Sequence, residues 1–309
     1  MIVLKVLCID GGGIRGVFAV AILAEIEKEL GKPVGEAFDL IAGTSTGAIV
    51  AASVALKKQM SEVLDYYKRY AEKIFLRQAK VGFFKTVYND RYMRRFFQKA
   101  FGDDCLADIK KPLLIPAVDL TNGRPYIHRT NFGRAPKEND LSIKLWDAVL
   151  SSCSAPLYFP PNNMEGKFLS IDGGLWANNP SLVCLTEALH QFEEKFENIT
   201  IVSIGTGKQK IDFSSKTNQD WGARQWLPLQ FPSLKVTPKL LDLALHLSSE
   251  SITYHCEQFL KGNYIRINED LGREIPFDEV KFIDDMIDFA NVCLRREKDN
   301  ILQVISAEK

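Results

Sequence analysis

In this sequence, the first candidate for nucleophilic chemistry is a serine that lies between two glycines. Ser45 stands at the centre of Gly43-Thr-Ser-Thr-Gly47, a G-x-S-x-G pattern between an apolar strand-like run, Phe38–Ala42, and an apolar helical run, Thr46–Leu56. A sharp turn of this kind projects the hydroxyl from a sheet edge and aims the positive end of the following helix at it. The pattern predicts a nucleophile elbow, although an ordinary strand-to-helix turn of small residues is the alternative.

A glycine-rich loop, Asp10-Gly-Gly-Gly-Ile-Arg-Gly16, lies between a predicted strand, Ile2–Ile9, and a predicted helix, Ile14–Leu30. Its spacing satisfies the G-x-G-x-x-G pattern of dinucleotide-binding folds. However, Asp10 would repel a pyrophosphate, and the second strand does not end in the acidic residue that the fingerprint needs for the ribose. A nicotinamide- or flavin-dependent oxidoreductase is therefore the weaker interpretation.

The same loop is well suited to holding an oxyanion. The consecutive N–H groups of Gly11, Gly12 and Gly13 before a helix form a backbone concavity for an anion, such as the oxygen of a tetrahedral acyl-transfer intermediate. Arg15 would add positive charge nearby or hold the loop. A tight turn that binds no ligand is the alternative.

A serine nucleophile needs a base, and the histidines are poorly placed for that role. His128 is predicted on a hairpin strand, His190 in a helix, and His246 and His255 in a helix over Leu240–Phe259. We therefore interpret each histidine as an ordinary surface or packed side chain.

Asp172 is the better candidate for the base. It ends a short apolar segment in Ser170-Ile-Asp-Gly-Gly174, where two glycines let a partner approach. A carboxylate accepts a serine proton directly when burial keeps its basicity high. Without further context, the Asp-Gly pair alone indicates only a turn.

Predicted strands and helices alternate along most of the chain, which favours a parallel sheet covered on both faces. The turn signal Thr121-Asn-Gly-Arg124 predicts a hairpin. From about residue 208 the pattern becomes mainly helical. Further segments are predicted as helices over Met60–Ile74, Tyr92–Ala100, Leu145–Ser152 and from about Asp278, and as strands over Ile199–Ile204 and Tyr264–Ile267.

Composition limits the classes of function. Lys+Arg and Asp+Glu both number 39 among 309 residues, so the net charge is zero and no general attraction to DNA or RNA is expected. The six cysteines show no metal-ligand spacing and are predicted to be buried thiols. No apolar stretch is long enough to span a bilayer, and no signal peptide is recognisable. We expect a cytoplasmic protein whose membrane contact is peripheral.

Three motifs in this order, DGGGIRG, GTSTG and DGG, resemble those of the patatin-like phospholipase family, as do the segments WDAVLSSCSAPLYFPP, LSIDGGLWANNP and IVSIGTG. The resemblance covers about residues 3–207. It implies an α/β fold of three layers, with a mainly parallel central sheet, helices on both faces and a helical C-terminal part. It also implies one domain over residues 1–309, in which 208–309 complete the fold or serve as a cap or regulatory part.

For the site, the resemblance implies a Ser–Asp dyad that uses no histidine, metal or cofactor, with Ser45 as nucleophile and Asp172 as base. The implied reaction is hydrolysis of ester bonds in membrane phospholipids. The resemblance assigns the oxyanion hole to Gly11, Gly12 and Gly13 with Arg15 close by, the elbow to Gly43 and Gly47, and supporting positions to Gly16, Gly173 and Gly174.

Compact bacterial members of this family include anti-phage effectors that cyclic dinucleotides switch on and that degrade the cell's own phospholipids. The chain is similar in size and layout, so we expect an effector of that kind at the inner membrane surface, with a homo-oligomer as one option. A constitutive lipid acyl hydrolase is the alternative, and a catalytically silent lipid- or nucleotide-binding protein is a rival from another class.

Three segments are candidates for regulation. Lys73–Lys99 is rich in basic and aromatic residues and could dock a nucleotide or an anionic lipid surface, or it could simply pack its aromatics inward and expose its charges. The loop Trp221–Leu234 is a second candidate for the activator. The charged run Arg134–Asp140 is a candidate gating segment.

Overall fold

A computed structural model describes residues 3–75, 86–133, 141–208, 239–276 and 278–306, and two short strands at 229–230 and 235–236. The strands are β1 Leu4–Ile9, β2 Leu40–Gly43, β3 Leu113–Asp119, β4 Arg124–Arg129, β5 Asn162–Met164, β6 Phe168–Asp172, β7 Ile199–Ile204, β8 Leu229–Gln230, β9 Lys235–Val236 and β10 Tyr264–Ile267. The α-helices are α1 Val17–Leu30, α2 Thr46–Ala55, α3 Met60–Ile74, α4 Arg91–Phe101, α5 Leu145–Ser152, α6 Gly174–Ala177, α7 Ser181–Gln191, α8 Lys239–Leu260 and α9 Ile283–Ser306.

The central sheet is parallel in its middle and antiparallel at one end. Its strand order is β10-β7-β1-β2-β3-β6-β5. Strand β4 lies off this path and pairs with the edge of β3 that β2 and β6 leave free. The pairs from β10 to β3 are parallel, whereas β6 runs antiparallel to β3, with Ala117 opposite Asp172. The predicted hairpin is present as β3 and β4.

Helices cover both faces of the sheet, as predicted. Alternate residues of β1 point to opposite faces, so Leu7 and Ile9 join one apolar core whereas Val6 and Cys8 join the other. The first core is completed by α1, α2, α3, α4, α5 and α9, and the second by α6, α7 and α8. The sheet is therefore the middle of three layers.

The strand order puts the two glycine motifs at one crevice. The chain passes from β1 to its neighbour β2 on one side, while β7 lies on the other side of β1. A crevice forms outside the carboxyl ends of the strands where the order reverses in this way. The loops after β1, β2 and β7 all reach that crevice, and they contain the glycine-rich loop, the G-x-S-x-G pattern and Gly205-Thr-Gly207.

Several element bounds differ from those predicted. A 3₁₀ turn over Gly13–Gly16 precedes α1, so that helix begins at Val17 and not at Ile14 as predicted. Another 3₁₀ turn, Val280–Phe282, precedes α9, so that helix begins later than predicted. Five of the six cysteines are buried free thiols, and Cys105 is half-buried.

Some predicted features lie outside the described residues. These are the candidate gating segment 134–140, residues 76–85 of the basic aromatic segment, and the loop 221–234 except for the backbone of 229–230. Among the residues that are described, no helix is both long enough and apolar enough to cross a membrane.

Candidate active site

Ser45 occupies a strained turn between β2 and α2. Its φ of 54° and ψ of −125° lie in a region that side-chain-bearing residues rarely adopt. The surroundings hold this conformation. The Ser45 amide donates to Ser152 Oγ at 2.8 Å, Ser152 Oγ donates to the Pro116 carbonyl at 2.6 Å, and the Cys153 thiol donates to the Ser45 carbonyl.

Gly43 and Gly47 have no space for a side chain, because neighbouring backbone atoms lie too close to them. A Cβ on Gly47 would lie 2.7 Å from the Asp10 carbonyl oxygen, so the first turn of α2 could not pack against the end of β1. A Cβ on Gly43 would collide with the Gly47 backbone. The G-x-S-x-G spacing therefore brings the Ser45 turn, the end of β1 and the start of α2 into contact.

Asp172 ends β6 beside Ser45 and has no basic partner among the described residues. Its carboxylate is 5% exposed and accepts a 2.7 Å hydrogen bond from the Gly174 amide. Burial raises the pKa of Asp172 to about 6, and hydrogen bonding from the Ser45 side chain and the Gly174 amide opposes that rise. A carboxylate of this basicity beside a hydroxyl can accept its proton.

The glycine-rich loop faces the same space. The Gly11 amide donates to the Asn178 carbonyl at 3.1 Å, whereas the Gly12 and Gly13 amides make no hydrogen bond within the described ranges. Two N–H donors are thus available to an oxyanion. Arg15 is half-buried and its Nε donates to the Gly12 carbonyl at 3.4 Å.

Asp10 anchors this loop through a network that the sequence analysis missed. Arg266 on β10 contacts the two carboxylate oxygens of Asp10 at 2.8 and 2.6 Å, and Ser249 on α8 donates to Asp10 at 3.2 Å. The Asn178 side chain donates to Ser249 at 2.8 Å and to the Gly11 carbonyl at 3.3 Å. Burial lowers the pKa of Arg266, but the Asp10 charge outweighs that effect and raises it.

A cavity of about 150 Å³ joins these groups to an apolar arm. Its polar end holds Ser45, Asp172 and the glycine loop. Its apolar arm, as we call the part between α3 and α4, is lined mainly by hydrocarbon and aromatic groups. The lining includes Val63, Tyr67, Tyr70 and Ile74 from α3 and Met93, Phe96, Phe97 and Phe101 from α4. An alkyl chain is the ligand that such a lining favours.

Helix α4 belongs to the basic aromatic segment singled out from the sequence. Phe96 and Phe97 face the cavity, whereas Arg95 and Lys99 are exposed. Arg94 forms an ion pair with Asp90 at 3.1 Å. The described part of this segment thus packs Phe96 and Phe97 inward and keeps most of its charges in water, although Tyr92 is exposed. Nucleotide binding by the segment stays a prediction.

No hydrogen bond joins a histidine to Ser45 in the described part of the chain. His128 is buried, and burial lowers its pKa to about 3, while His190 and His255 are exposed. His246 does line the cavity, which its helical setting did not indicate, and burial lowers its pKa as well. No group of three or more His, Cys, Asp or Glu residues in the described ranges could hold a metal ion.

Comparisons with known proteins place this geometry in context. Residues 7–185 match the family model described as "Patatin-like phospholipase". The chain is 33% identical to the "cGAMP-activated phospholipase" of Vibrio cholerae, over 89% of this chain and 84% of the relative. It is 28% identical to "Patatin-like protein 1" of Arabidopsis thaliana over 86% of this chain and 74% of the relative. It is also 29% identical to the "85/88 kDa calcium-independent phospholipase A2" of Rattus norvegicus, over 89% of this chain and 36% of that protein.

Proposed function

The chain belongs to the patatin-like phospholipase family of lipid acyl hydrolases, and on that premise we propose that Ser45 and Asp172 are a catalytic dyad that hydrolyses membrane phospholipids. One observation carries the proposal. A serine on a strained strand-to-helix turn lies beside a buried carboxylate of pKa about 6, at the polar end of a cavity with an apolar arm.

The first half-reaction transfers the acyl group to Ser45. Asp172 accepts the hydroxyl proton while Ser45 Oγ bonds to the ester carbonyl carbon. The Gly12 and Gly13 amides donate to the oxyanion that develops, with Arg15 close by. Collapse of the intermediate breaks the bond to the leaving alcohol, which takes the proton from Asp172.

The second half-reaction releases the fatty acid. Asp172 accepts a proton from water as the water oxygen bonds to the acyl carbon. Collapse of this second intermediate breaks the bond to Ser45 Oγ, and the proton held by Asp172 returns to that oxygen. The dyad therefore completes a cycle without a histidine.

The lipid substrate fits the two ends of the cavity. The apolar arm between α3 and α4 accepts the acyl chain, and the reacting ester lies at Ser45. Membrane phospholipids reside in bilayers, so the protein must contact a membrane surface peripherally to reach them.

Regulation by a cyclic dinucleotide is the second part of the proposal. Three bacterial relatives named cGAMP-activated phospholipase are 30–34% identical to this chain. We therefore favour an effector that a cyclic dinucleotide switches on in the cytoplasm and that acts on the inner membrane surface. A constitutive lipid acyl hydrolase is the alternative, and the similarity to a plant patatin-like protein supports it.

The test is fatty-acid release from mixed phospholipid vesicles, with and without a panel of cyclic dinucleotides. Ser45→Ala should lower turnover about a thousandfold or more, whereas the exposed Ser61→Ala serves as a matched control and should retain it. Release that requires both Ser45 and one nucleotide supports the whole proposal. Ser45-dependent release without nucleotide supports the constitutive alternative, and release that survives Ser45→Ala contradicts the dyad.

A further inference from the structure

Tyr67 connects the wall of the apolar arm to the residue that follows the nucleophile. Its hydroxyl lies 2.6 Å from Thr46 Oγ1 and donates to the Thr46 carbonyl at 3.5 Å. Tyr67 belongs to α3, and both Tyr67 and Thr46 line the cavity. The contact therefore spans the point where the polar end of the cavity meets the apolar arm.

Thr46 is held on three sides. It directly follows Ser45 and begins α2. A Cβ on Gly16 would collide with the Thr46 side chain, so the end of the glycine loop packs directly against it. The Tyr67 hydroxyl supplies the third contact. The nucleophile, the glycine loop and the wall of the apolar arm thus meet at Thr46, which is buried and only 5% exposed.

We propose that Tyr67 is a positioning residue that couples occupancy of the apolar arm to the orientation of Ser45 through Thr46. The proposal rests on the proposed function. An acyl chain in the arm packs against the Tyr67 ring and holds α3 in place, and the phenol hydroxyl passes that constraint to Thr46. The binding energy of the substrate's acyl chain, which does not itself react, is then used to orient Ser45. A longer acyl chain therefore raises kcat.

The test compares the acetate, butyrate, octanoate and laurate esters of one chromogenic alcohol in the same detergent solution. Tyr67→Phe keeps the apolar ring and removes the hydroxyl, so we expect kcat on the laurate ester to fall about three- to tenfold with KM nearly unchanged. On the acetate ester, which leaves the arm empty, kcat should change by less than about twofold. Tyr92→Phe, an exposed position on α4 that does not line the cavity, is the matched control.

A second pair of variants separates coupling from general damage. Thr46→Val should reproduce the chain-length effect, and the Tyr67→Phe/Thr46→Val double variant should lose no more than either single variant. Thr46→Ser keeps the hydroxyl and should retain activity on the laurate ester.

Three results would overturn the proposal: an equal fall in kcat on all four esters, a rise in KM alone, or no change. Failure of the proposed function would look different, because wild type and Ser45→Ala would then hydrolyse the esters equally.

Discussion

Asp10 and Asp172 are two carboxylates of the same sheet that packing places in different surroundings. Each lies at the carboxyl end of a strand, each is followed by glycines, and each is buried. Burial pushes the pKa of both upward, but at Asp10 the Arg266 guanidinium opposes that effect with charge and hydrogen bonds. Within the described part of the chain, the hydrogen-bond donors at Asp172 are the Gly174 amide and the Ser45 hydroxyl. The ion-paired carboxylate anchors the glycine loop, and the carboxylate without a cation is the one that we propose as the base.

The anchored glycine loop and Asp172 line the same cavity. The Asp10–Arg266 pair connects the start of the glycine loop to β10, two strands away from β1. That connection anchors the loop whose Gly12 and Gly13 amides line the same cavity as Ser45 and are the donors that we propose for the oxyanion.

The largest effect is expected from Asp172→Asn. Loss of the base should lower turnover on a soluble ester about a thousandfold or more. The same change removes a buried, uncompensated charge, so the free energy of unfolding at pH 8 should rise by up to about 3 kcal/mol. Urea denaturation and ester hydrolysis measure the two effects. An active Asp172→Asn protein would exclude Asp172 as the base.

Removing Arg266, the cation paired with Asp10, should lower stability, whereas Asp172→Asn should raise it. Arg266→Met leaves Asp10 buried and unpaired, which should lower the free energy of unfolding by about 3–5 kcal/mol. Arg273→Met is the matched control, because its ion pair with Asp285 is half exposed on both sides and should contribute less than about 1 kcal/mol. Equal losses in urea denaturation would show that burial of the Asp10–Arg266 pair does not matter.

The pH dependence should follow Asp172. Its pKa of about 6 lies above the ordinary value, so kcat/KM on a soluble ester should fall about tenfold for each pH unit below that value. Stability changes with the opposite sign. The folded state holds the Asp172 proton more tightly than the unfolded state, so this group's contribution falls as pH rises from about 4 to about 6 and is constant above. The Asp172→Asn protein should lack that part of the stability profile.

The smallest effect concerns a neutral part of the anchor. Ser249→Ala removes the hydroxyl between Asp10 and Asn178 and should cost about 1 kcal/mol of stability, with the Asp10–Arg266 pair retained. Ser251→Ala changes an exposed serine of the same helix and should have no measurable effect on the urea midpoint. A large loss of ester hydrolysis in Ser249→Ala alone would assign this hydroxyl a part in the reaction.

Short-range patterns explain what could be predicted. The family, the lipid hydrolase class and the three-layer fold with its mainly parallel sheet are confirmed. The elbow needs small residues within five positions, and the β3–β4 hairpin needs Asn-Gly in its turn, so both are readable from local sequence. The extent of the domain, the roles of the site residues and the cyclic dinucleotide stay predictions.

Contacts between distant parts of the chain explain what was missed. Arg266 lies 256 residues from Asp10, and no local pattern marks it as the partner of that carboxylate. The antiparallel direction of β6 and the contact between Tyr67 and Thr46 also depend on how whole elements pack. The sequence indicates that aromatic residues of α4 could pack inward, but it does not indicate that they line a cavity.

The sequence by itself determined the order of the chemical groups: two glycine-bordered turns after strands, a serine in one of them, and two aspartates that each precede glycines. Only the tertiary structure decided which aspartate pairs with an arginine and which lies beside a serine with no cation among the described residues. The physical reason is that the sequence chooses the type of a carboxyl group, whereas its pKa depends on the burial and charges that packing brings around it.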